Sequence, residues 1–135
     1  MMQLVPFQHA HLTNFKANRF TKPGGDLLSA SSPEVSKYTA LSAENQPLAV
    51  ICFKETEPSV YAAFFLVSED FGAGHCAQLR DFVQVLVAQQ NAKEVWTVSC
   101  QDPELAHWHE FLGLKRDGTV QIEDKTYDVW RMRWA

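Results

Sequence analysis

Several features are scarce in this chain of 135 residues, and each scarcity excludes a class of protein. The three cysteines, Cys52, Cys76 and Cys100, form no Cys-x-x-Cys pair, so neither a disulfide framework nor a zinc knuckle is expected. Acidic residues outnumber basic ones by 16 to 12, and the net charge of −4 argues against general binding to nucleic acid or to an anionic membrane. The longest apolar run, Val60 to Val67, is far too short to cross a bilayer.

The rest of the composition is that of a folded protein with a single domain, residues 1–135. Hydrophobic residues make up 46% of the chain and charged residues 21%, which is typical of a globular domain rather than of a disordered tail. This length is sufficient for one buried core and would be cramped for two domains. Because the chain does not open with a basic lead and a long apolar block, and its cysteines suit a reducing compartment, we expect a cytoplasmic protein.

The hydrophobic pattern predicts a mixed sheet with helices. A short apolar strand comes first, followed by a helical stretch in which Leu12 and Phe15 face a core, and then by a loop at Thr21–Asp26. Further along, Val60–Val67 is apolar at both parities, as a central strand is when both of its faces are covered. The predicted order is strand, helix, loop, a run of strands, helix, strand, helix and two strands, which indicates an α/β fold.

Two helices are predicted after the central strand. From Cys76 to Val87 apolar residues recur at the three- and four-residue spacing of one helix face. The second helix has Asp102 as a side-chain cap, Pro103 in its first turn and Gly113 at its exit.

The stretch Glu69–Gly74 lies between the central strand and the first of these helices, and it has two interpretations. Gly72 and Gly74 would let a phosphate group approach the free N–H groups of the first helical turn closely. Two glycines before a helix are also ordinary turn chemistry. The local pattern leaves both interpretations open.

In its wider context the stretch resembles the GNAT superfamily of acetyl-CoA-dependent N-acyltransferases. The family loop Gln/Arg-x-x-Gly-x-Gly/Ala matches EDFGAG at Glu69–Gly74, and a later family strand and aromatic-rich helix match VWTVSCQDPELAHWHEFLGLKRDG at residues 95–118. The resemblance implies a GNAT-like α/β (α+β) fold, a mixed, mostly antiparallel central sheet of about six to seven strands flanked by helices. It also implies transfer of an acetyl group from acetyl-CoA to a primary amine by direct attack, without a metal.

The same resemblance implies roles for particular residues. His109 stands where many members carry a tyrosine that protonates the leaving thiolate, and Asp102 stands where the family carries an asparagine near the cofactor. Main chain at three strand residues would pair with the pantetheine arm: Phe65, Leu66 and Val67. Backbone amides of the loop would hold the pyrophosphate: Phe71, Gly72, Ala73, Gly74, His75 and Cys76. The acceptor, a small-molecule or peptide amine, would enter from the side of Thr21–Asp26 and the terminal hairpin.

Several candidate residues also have a structural interpretation. Glu55 and Glu57 follow a strand next to the central one, where either could deprotonate an amine directly or through water, or could be a solvated turn residue. His109 could pack within its helix, and Cys76 could be a core thiol rather than a reactive one. His107 and His109 point in nearly opposite directions on a helix, so no metal site is expected there.

A second resemblance provides the main alternative. The chain is similar to small GNAT-like proteins of short-tailed bacteriophages, some of them internal virion proteins, in its compact size, its turn ENQP before LAVICF and its tail TYDVWRMRW. This implies a catalytically inactive protein with a structural role in the virion, which binds virion proteins or a second copy of itself. Glu69 and Asp70 favour this alternative because they put negative charge beside the loop, whereas the intact glycine spacing favours the enzyme.

Overall fold

The structure, a computed structural model, describes residues 1–13, 15–16 and 35–133. Within these ranges the strands and helices are β1 (Gln3–Pro6), β2 (Val35–Leu41), β3 (Pro47–Glu57), β4 (Val60–Val67), α1 (Cys76–Gln89), β5 (Glu94–Cys100), α2 (Pro103–Phe111), β6 (Lys115–Ile122) and β7 (Lys125–Arg133). Two short 3₁₀ turns, His9–Leu12 and Ala73–His75, follow β1 and precede α1.

These seven strands form one sheet in the order β1-β2-β3-β4-β5-β7-β6. Neighbouring strands are antiparallel except β4 and β5, which are parallel. Parallel neighbours require a long crossover, and α1 lies in it. The predicted fold class, a mixed and mostly antiparallel sheet with β4 at its centre, is confirmed.

The two faces of the sheet are covered by different parts of the chain. The larger cluster contains residues of both helices and the sheet, among them Leu79 and Trp130. The smaller cluster lies on the opposite face, where Leu66 packs near Leu12 and Phe15. Successive side chains at the end of β4 alternate between the two clusters, which explains why this strand is apolar at both parities.

The helices follow their sequence signals closely. Along α1 the buried residues are Leu79, Val83, Leu86 and Val87, which belong to the predicted apolar stripe, and its other members, Cys76 and Phe82, are half-buried. Burying each such side chain stabilises the fold by roughly 1.5–3 kcal/mol. None of the helices in the described part of the chain has both the length and the apolar character that a membrane span requires.

The N-terminal segment differs from its prediction. The stretch expected to be helical after β1 is the 3₁₀ turn His9–Leu12. The ring of His11 fixes this turn, because its Nδ1 lies 3.1 Å from the Gln8 N–H nitrogen and 2.7 Å from the hydroxyl oxygen of Thr39 on β2. The predicted loop at Thr21–Asp26 lies outside the described residues.

Candidate functional site

The parallel strands β4 and β5 separate after three paired positions. The pairs are Val60 with Glu94, Tyr61 with Val95 and Ala62 with Trp96. Beyond them β4 continues to Val67 and β5 to Cys100, and these described residues do not pair with each other. A gap therefore opens in the middle of the sheet toward the carboxyl ends of both strands. We call residues 63–67 and 97–100 the strand gap.

The closed end of the strand gap is held by contacts around the β3–β4 turn. The carbonyl of Ser59 accepts from the N–H groups of Lys93 and Glu94 at 2.8 and 3.3 Å. The indole N–H of Trp96 donates to the hydroxyl oxygen of Thr56 at 3.3 Å. These bonds tie the end of β3 to β5 across β4, so they fix the point at which the strands part.

Inside the gap β4 presents main chain rather than side chains. Phe65 and Val67 pack in the helix-covered cluster, and Leu66 packs in the cluster on the opposite face. Across the described chain, β5 supplies no pairing partner for β4 beyond Ala62. Such an edge can pair with an extended ligand as a further strand would. The predicted pantetheine contacts at Phe65, Leu66 and Val67 therefore remain a prediction about main chain only.

The loop at the open end, residues 68–75, uses most of its first amides internally. Four consecutive N–H groups donate within the chain: Glu69 to the Lys16 carbonyl at 2.9 Å, Asp70 to the Ser68 hydroxyl at 3.1 Å, Phe71 to the Ser68 carbonyl at 3.0 Å and Gly72 to Nδ1 of His75 at 3.0 Å. These bonds hold the chain in a tight turn between β4 and α1. Further along, the N–H groups of His75 and Cys76 donate to the carbonyls of Gly72 and Ala73, so four of the six predicted pyrophosphate amides, those of Phe71 and Gly72 included, are already engaged.

The next two amides are open. The N–H groups of Ala73 and Gly74 begin the 3₁₀ turn, and neither has an acceptor within the described ranges. Both residues are exposed, and a Cβ placed on Gly74 would meet no atom within 4 Å. Because these N–H groups lie at the positive end of α1, they form an accessible place for an anion.

Aromatic contacts connect this loop to α2. The ring of Phe71 lies 5.3 Å from that of His75 and 6.3 Å from that of Trp108. Trp108 in turn stacks on Phe111 at 6.0 Å, and the guanidinium of Arg80 lies 4.6 Å over Phe111. The aromatic segment of α2 thus supports the position of the loop from the side.

Two carboxylates put negative charge near the open amides. Glu69 and Asp70 are both exposed, so they face water rather than the interior. Repulsion between an exposed carboxylate and a bound anion is weakened by water and salt but not abolished. Such charges would weaken the binding of an anion at the amides of Ala73 and Gly74.

Cys76 begins α1 but is not an activated thiol. It is half-buried, and its Sγ lies 3.9 Å from the carbonyl oxygen of Gly72. Burial raises the pKa of the Cys76 thiol above its ordinary value of 9.0. The thiol is therefore protonated at pH 7, and a protonated thiol is a poor nucleophile.

His109, the predicted general acid, lies in the core. Only 4% of the residue is exposed, its ring stacks on Trp130 with centroids 5.2 Å apart, and its Nδ1 has no hydrogen-bond partner among the described residues. Burial lowers the pKa of His109 to about 4, although the Leu105 carbonyl and the Asp128 carboxylate favour the charged form. The ring is neutral at pH 7 and holds no readily donated proton. Its role as acid stays a prediction, and its burial argues against it.

Glu55 and Glu57, the predicted bases, lie at the closed end of the strand gap. Both are exposed at the end of β3, and the Glu55 carboxylate accepts from the Ser59 N–H at 3.3 Å. Partial burial, and then the Glu55 carboxylate beside it, raise the pKa of Tyr61. Along β4, Tyr61 and Val67 are about 20 Å apart, since a strand rises roughly 3.3 Å per residue. The glutamates and the loop amides therefore lie at opposite ends of the gap.

Asp102 acts as the predicted helix cap. Its side chain accepts from the N–H of Glu104 at 2.9 Å at the start of α2. A cofactor contact by Asp102 remains a prediction. In the described part of the chain no three His, Cys, Asp or Glu side chains come together in a way that could hold a metal ion.

Three features of the site were not predicted from the sequence. The early separation of β4 from β5 depends on strand register, which hydrophobic patterns do not report. The bond from Gly72 to His75 could have been found, because a polar side chain three residues after a helix cap is a known capping signal. The contact of Thr56 with Trp96 has no local sequence signal.

Comparisons with known proteins show what this architecture resembles. No protein-family model matches the chain, and no curated protein matches it. Among solved structures, a candidate phosphinothricin N-acetyltransferase matches with a TM-score of 0.76 at 12% identity, over 100% of this chain and 99% of that one. The aminoglycoside acetyltransferase AAC(6')-Ib, in complex with coenzyme A and kanamycin, matches with a TM-score of 0.68 at 18% identity, over 98% and 95%. A GCN5-related N-acetyltransferase from Kribbella flavida matches with a TM-score of 0.71 at 13% identity, over 98% of both chains.

This chain has the GNAT fold. Each likeness covers almost the whole length of both proteins, so it concerns the complete architecture and not one shared motif. At identities of 12 to 18%, such likenesses establish the fold and not the activity. What a GNAT-fold protein does must therefore be argued from its own strand gap and loop.

Proposed function

We propose that this GNAT-fold protein is an N-acetyltransferase that transfers the acetyl group of acetyl-CoA to a primary amine. The strand gap, which ends at the two open amides of Ala73 and Gly74, carries the proposal. A gap edged by main chain and ending at an anion site suits a long carrier with amide groups along its arm and phosphates at its end. The complex of AAC(6')-Ib with coenzyme A, a structure of the same fold, supports this use.

In the proposed complex the N–H groups of Ala73 and Gly74 hold the pyrophosphate, and the β4 edge at residues 63–66 pairs with the pantetheine arm. Both sets of groups are main chain, fixed by the sheet and by the start of α1, so they are already oriented before the ligand arrives. The bound carrier supplies a thioester carbonyl. The amine attacks that carbonyl directly, and the new C–N bond replaces the C–S bond without a covalent enzyme intermediate.

Proton transfers complete the proposed reaction. An amine must lose its extra proton before it attacks, and Glu55 and Glu57 are the proposed bases because they are exposed at the closed end of the gap. The departing thiolate takes a proton, for which we propose water, since the His109 ring is buried and neutral.

The proposed acceptor is a small-molecule or peptide amine in the cytoplasm. Phosphinothricin and aminoglycosides, which appear in the names of two structures of this fold, are amines of the first kind. The net charge of −4 is compatible with a cationic amine, because opposite charges attract it to the surface.

A second candidate function is a structural role without catalysis, as in the GNAT-like virion proteins of short-tailed phages. One observation favours it: the four amides from Glu69 to Gly72 are used within the chain, and Glu69 and Asp70 add exposed negative charge beside them. In that case the partners would be virion proteins or a second copy of this chain.

Calorimetric titration with acetyl-CoA, and separately with CoA, tests the proposal. We expect saturable micromolar binding by the wild type and at least about tenfold weaker binding by Gly74→Val, whose side chain would cover the open amides. Ala88→Val, at an exposed position in the last turn of α1, is the matched control and should bind as the wild type does. No heat at millimolar ligand would exclude the enzyme and leave the structural role.

A further inference from the structure

The amide of Gly72 lies beside the two open amides but is covered by a side chain. Its N–H donates to Nδ1 of His75 at 3.0 Å, and the N–H of His75 donates to the carbonyl of Gly72, also at 3.0 Å. The pair of bonds resembles a capping box, in which the third residue of a helix accepts from the N–H of the capping residue. Here an imidazole stands in place of the usual Glu or Gln side chain.

The bond fixes the state of the imidazole. A nitrogen that accepts an N–H must carry a lone pair, so Nδ1 is unprotonated and the neutral ring carries its proton on Nε2. Within the loop the imidazole contacts Phe71 and the Gly72 amide, both uncharged, and Phe71 in turn contacts Trp108 of α2. On α1 the neighbouring Cys76 thiol is protonated at pH 7 because burial raises its pKa. Glu69 and Asp70, the acidic residues of the loop, are exposed.

We infer that His75 is a removable cap that competes with the phosphate groups of the acyl carrier for the Gly72 N–H. The inference rests on the proposed function, since it concerns the same anion site. Gly72 is exposed and directly precedes Ala73 and Gly74, so its N–H is the third amide that a pyrophosphate reaches. His75 is half-buried, and its ring lies against Phe71, which is itself only partly buried, so the ring can turn toward water without uncovering a fully buried side chain.

Two substitutions at His75 distinguish the effect of its hydrogen bond to Gly72 from the effect of its ring packing. His75→Phe keeps an aromatic ring against Phe71 but has no acceptor, and we expect it to bind CoA and inorganic pyrophosphate about three- to tenfold more tightly than the wild type at pH 8. His75→Asn keeps a side-chain oxygen that can accept from Gly72, and it should bind as the wild type does.

Nitrogen-15 NMR of the Gly72 amide reports the cap without any ligand. Its proton resonance should differ between the wild type and His75→Phe, which lacks the acceptor, and should be similar in the wild type and His75→Asn. Equal CoA affinities of the wild type and His75→Phe would overturn the inference while leaving the proposed function intact. Weaker binding by His75→Phe would also overturn it, because the ring would then assist the ligand. If neither protein bound CoA or pyrophosphate, the inference and the proposed function would both be wrong.

Discussion

The two helices of this protein end in the same way but begin in different ways. After α1, Asn91 adopts a φ of 51° and the N–H of Ala92 donates to the Val87 carbonyl at 3.4 Å. After α2, Gly113 adopts a φ of 97° and the N–H of Leu114 donates to the His109 carbonyl at 3.0 Å. Each end has a left-handed residue and the long return bond of a Schellman motif. Both carboxyl ends are therefore closed within the chain.

The amino ends show the opposite pattern. At α2, Asp102 accepts the N–H of Glu104, and Pro103 has no N–H to satisfy. The start of α1 has no Ser, Thr, Asp or Asn cap, and the 3₁₀ turn before it leaves the N–H groups of Ala73 and Gly74 open. A helix that serves only the fold gains stability from a cap, whereas an anion site requires uncapped amides. The difference therefore distinguishes a structural helix start from a candidate binding one.

Acid should destabilise the packing of α2 and not that of α1, because only α2 buries a histidine. The pKa of His109 is about 4 in the folded protein against an ordinary value of 6.5, so the unfolded chain takes up the proton first. The contribution of His109 to the free energy of unfolding is therefore fully present above pH 6.5. It is lost as the pH falls toward 4, and the loss amounts to up to about 3 kcal/mol. Urea unfolding at several pH values measures the loss.

His109→Phe should remove this part of the pH dependence, since a phenyl ring can stack on Trp130 without titrating. His107→Phe, at the exposed residue two positions earlier, should keep the dependence of the wild type. Equal pH profiles for His109→Phe and the wild type would show that the buried ring does not resist protonation.

A substitution at the end of α2 should lower stability more than a substitution at the end of α1. Gly113→Ala would force a side chain to a φ of 97° and place its Cβ 3.2 Å from the sulfur of Met132, so we expect a loss of about 2 kcal/mol in the free energy of unfolding. Gly118→Ala has nearly the same φ, 95°, but meets no atom within 4 Å. A larger loss at Gly113 than at Gly118 would isolate the contact with Met132, and equal losses would assign the whole effect to backbone strain.

The helix boundaries were predictable because local signals determine them. Asp102, Pro103 and Gly113 act within a few residues of their own positions, and the apolar spacing from Cys76 to Val87 depends on the helix alone. The same holds for β4, whose two-faced apolar pattern requires only that both faces be covered.

The site was less predictable because it depends on contacts between distant residues. Residues 56 and 96 meet only after three strands assemble, and the separation of β4 from β5 is a matter of register. His109 was predicted from its place in a motif, but its burial against Trp130 depends on β7, which follows it in the chain. A motif indicates which residue stands at a position and not how much water reaches it.

Removing the cap of α2 should lower stability without affecting the start of α1. Asp102→Ala leaves the Glu104 N–H without its acceptor, and we expect a loss of about 1 kcal/mol in the free energy of unfolding. Asp102→Asn keeps an acceptor and should retain most of that stability. Gly74→Val, in contrast, should lose CoA affinity with little change in stability. A drop in CoA affinity for Asp102→Ala would support the predicted cofactor contact of Asp102.

The smallest effect is expected from making the end of α1 more like the end of α2. Asn91 tolerates its φ of 51°, but glycine adopts left-handed conformations without steric cost, so Asn91→Gly should raise the free energy of unfolding by about 0.5 kcal/mol. Asn91→Ala, which has neither advantage, should lower it by about 1 kcal/mol. Urea unfolding of the three proteins resolves the order. If Asn91→Gly were less stable than the wild type, the side chain of Asn91 would contribute to the helix end, and the two ends would be alike in backbone but not in what stabilises them.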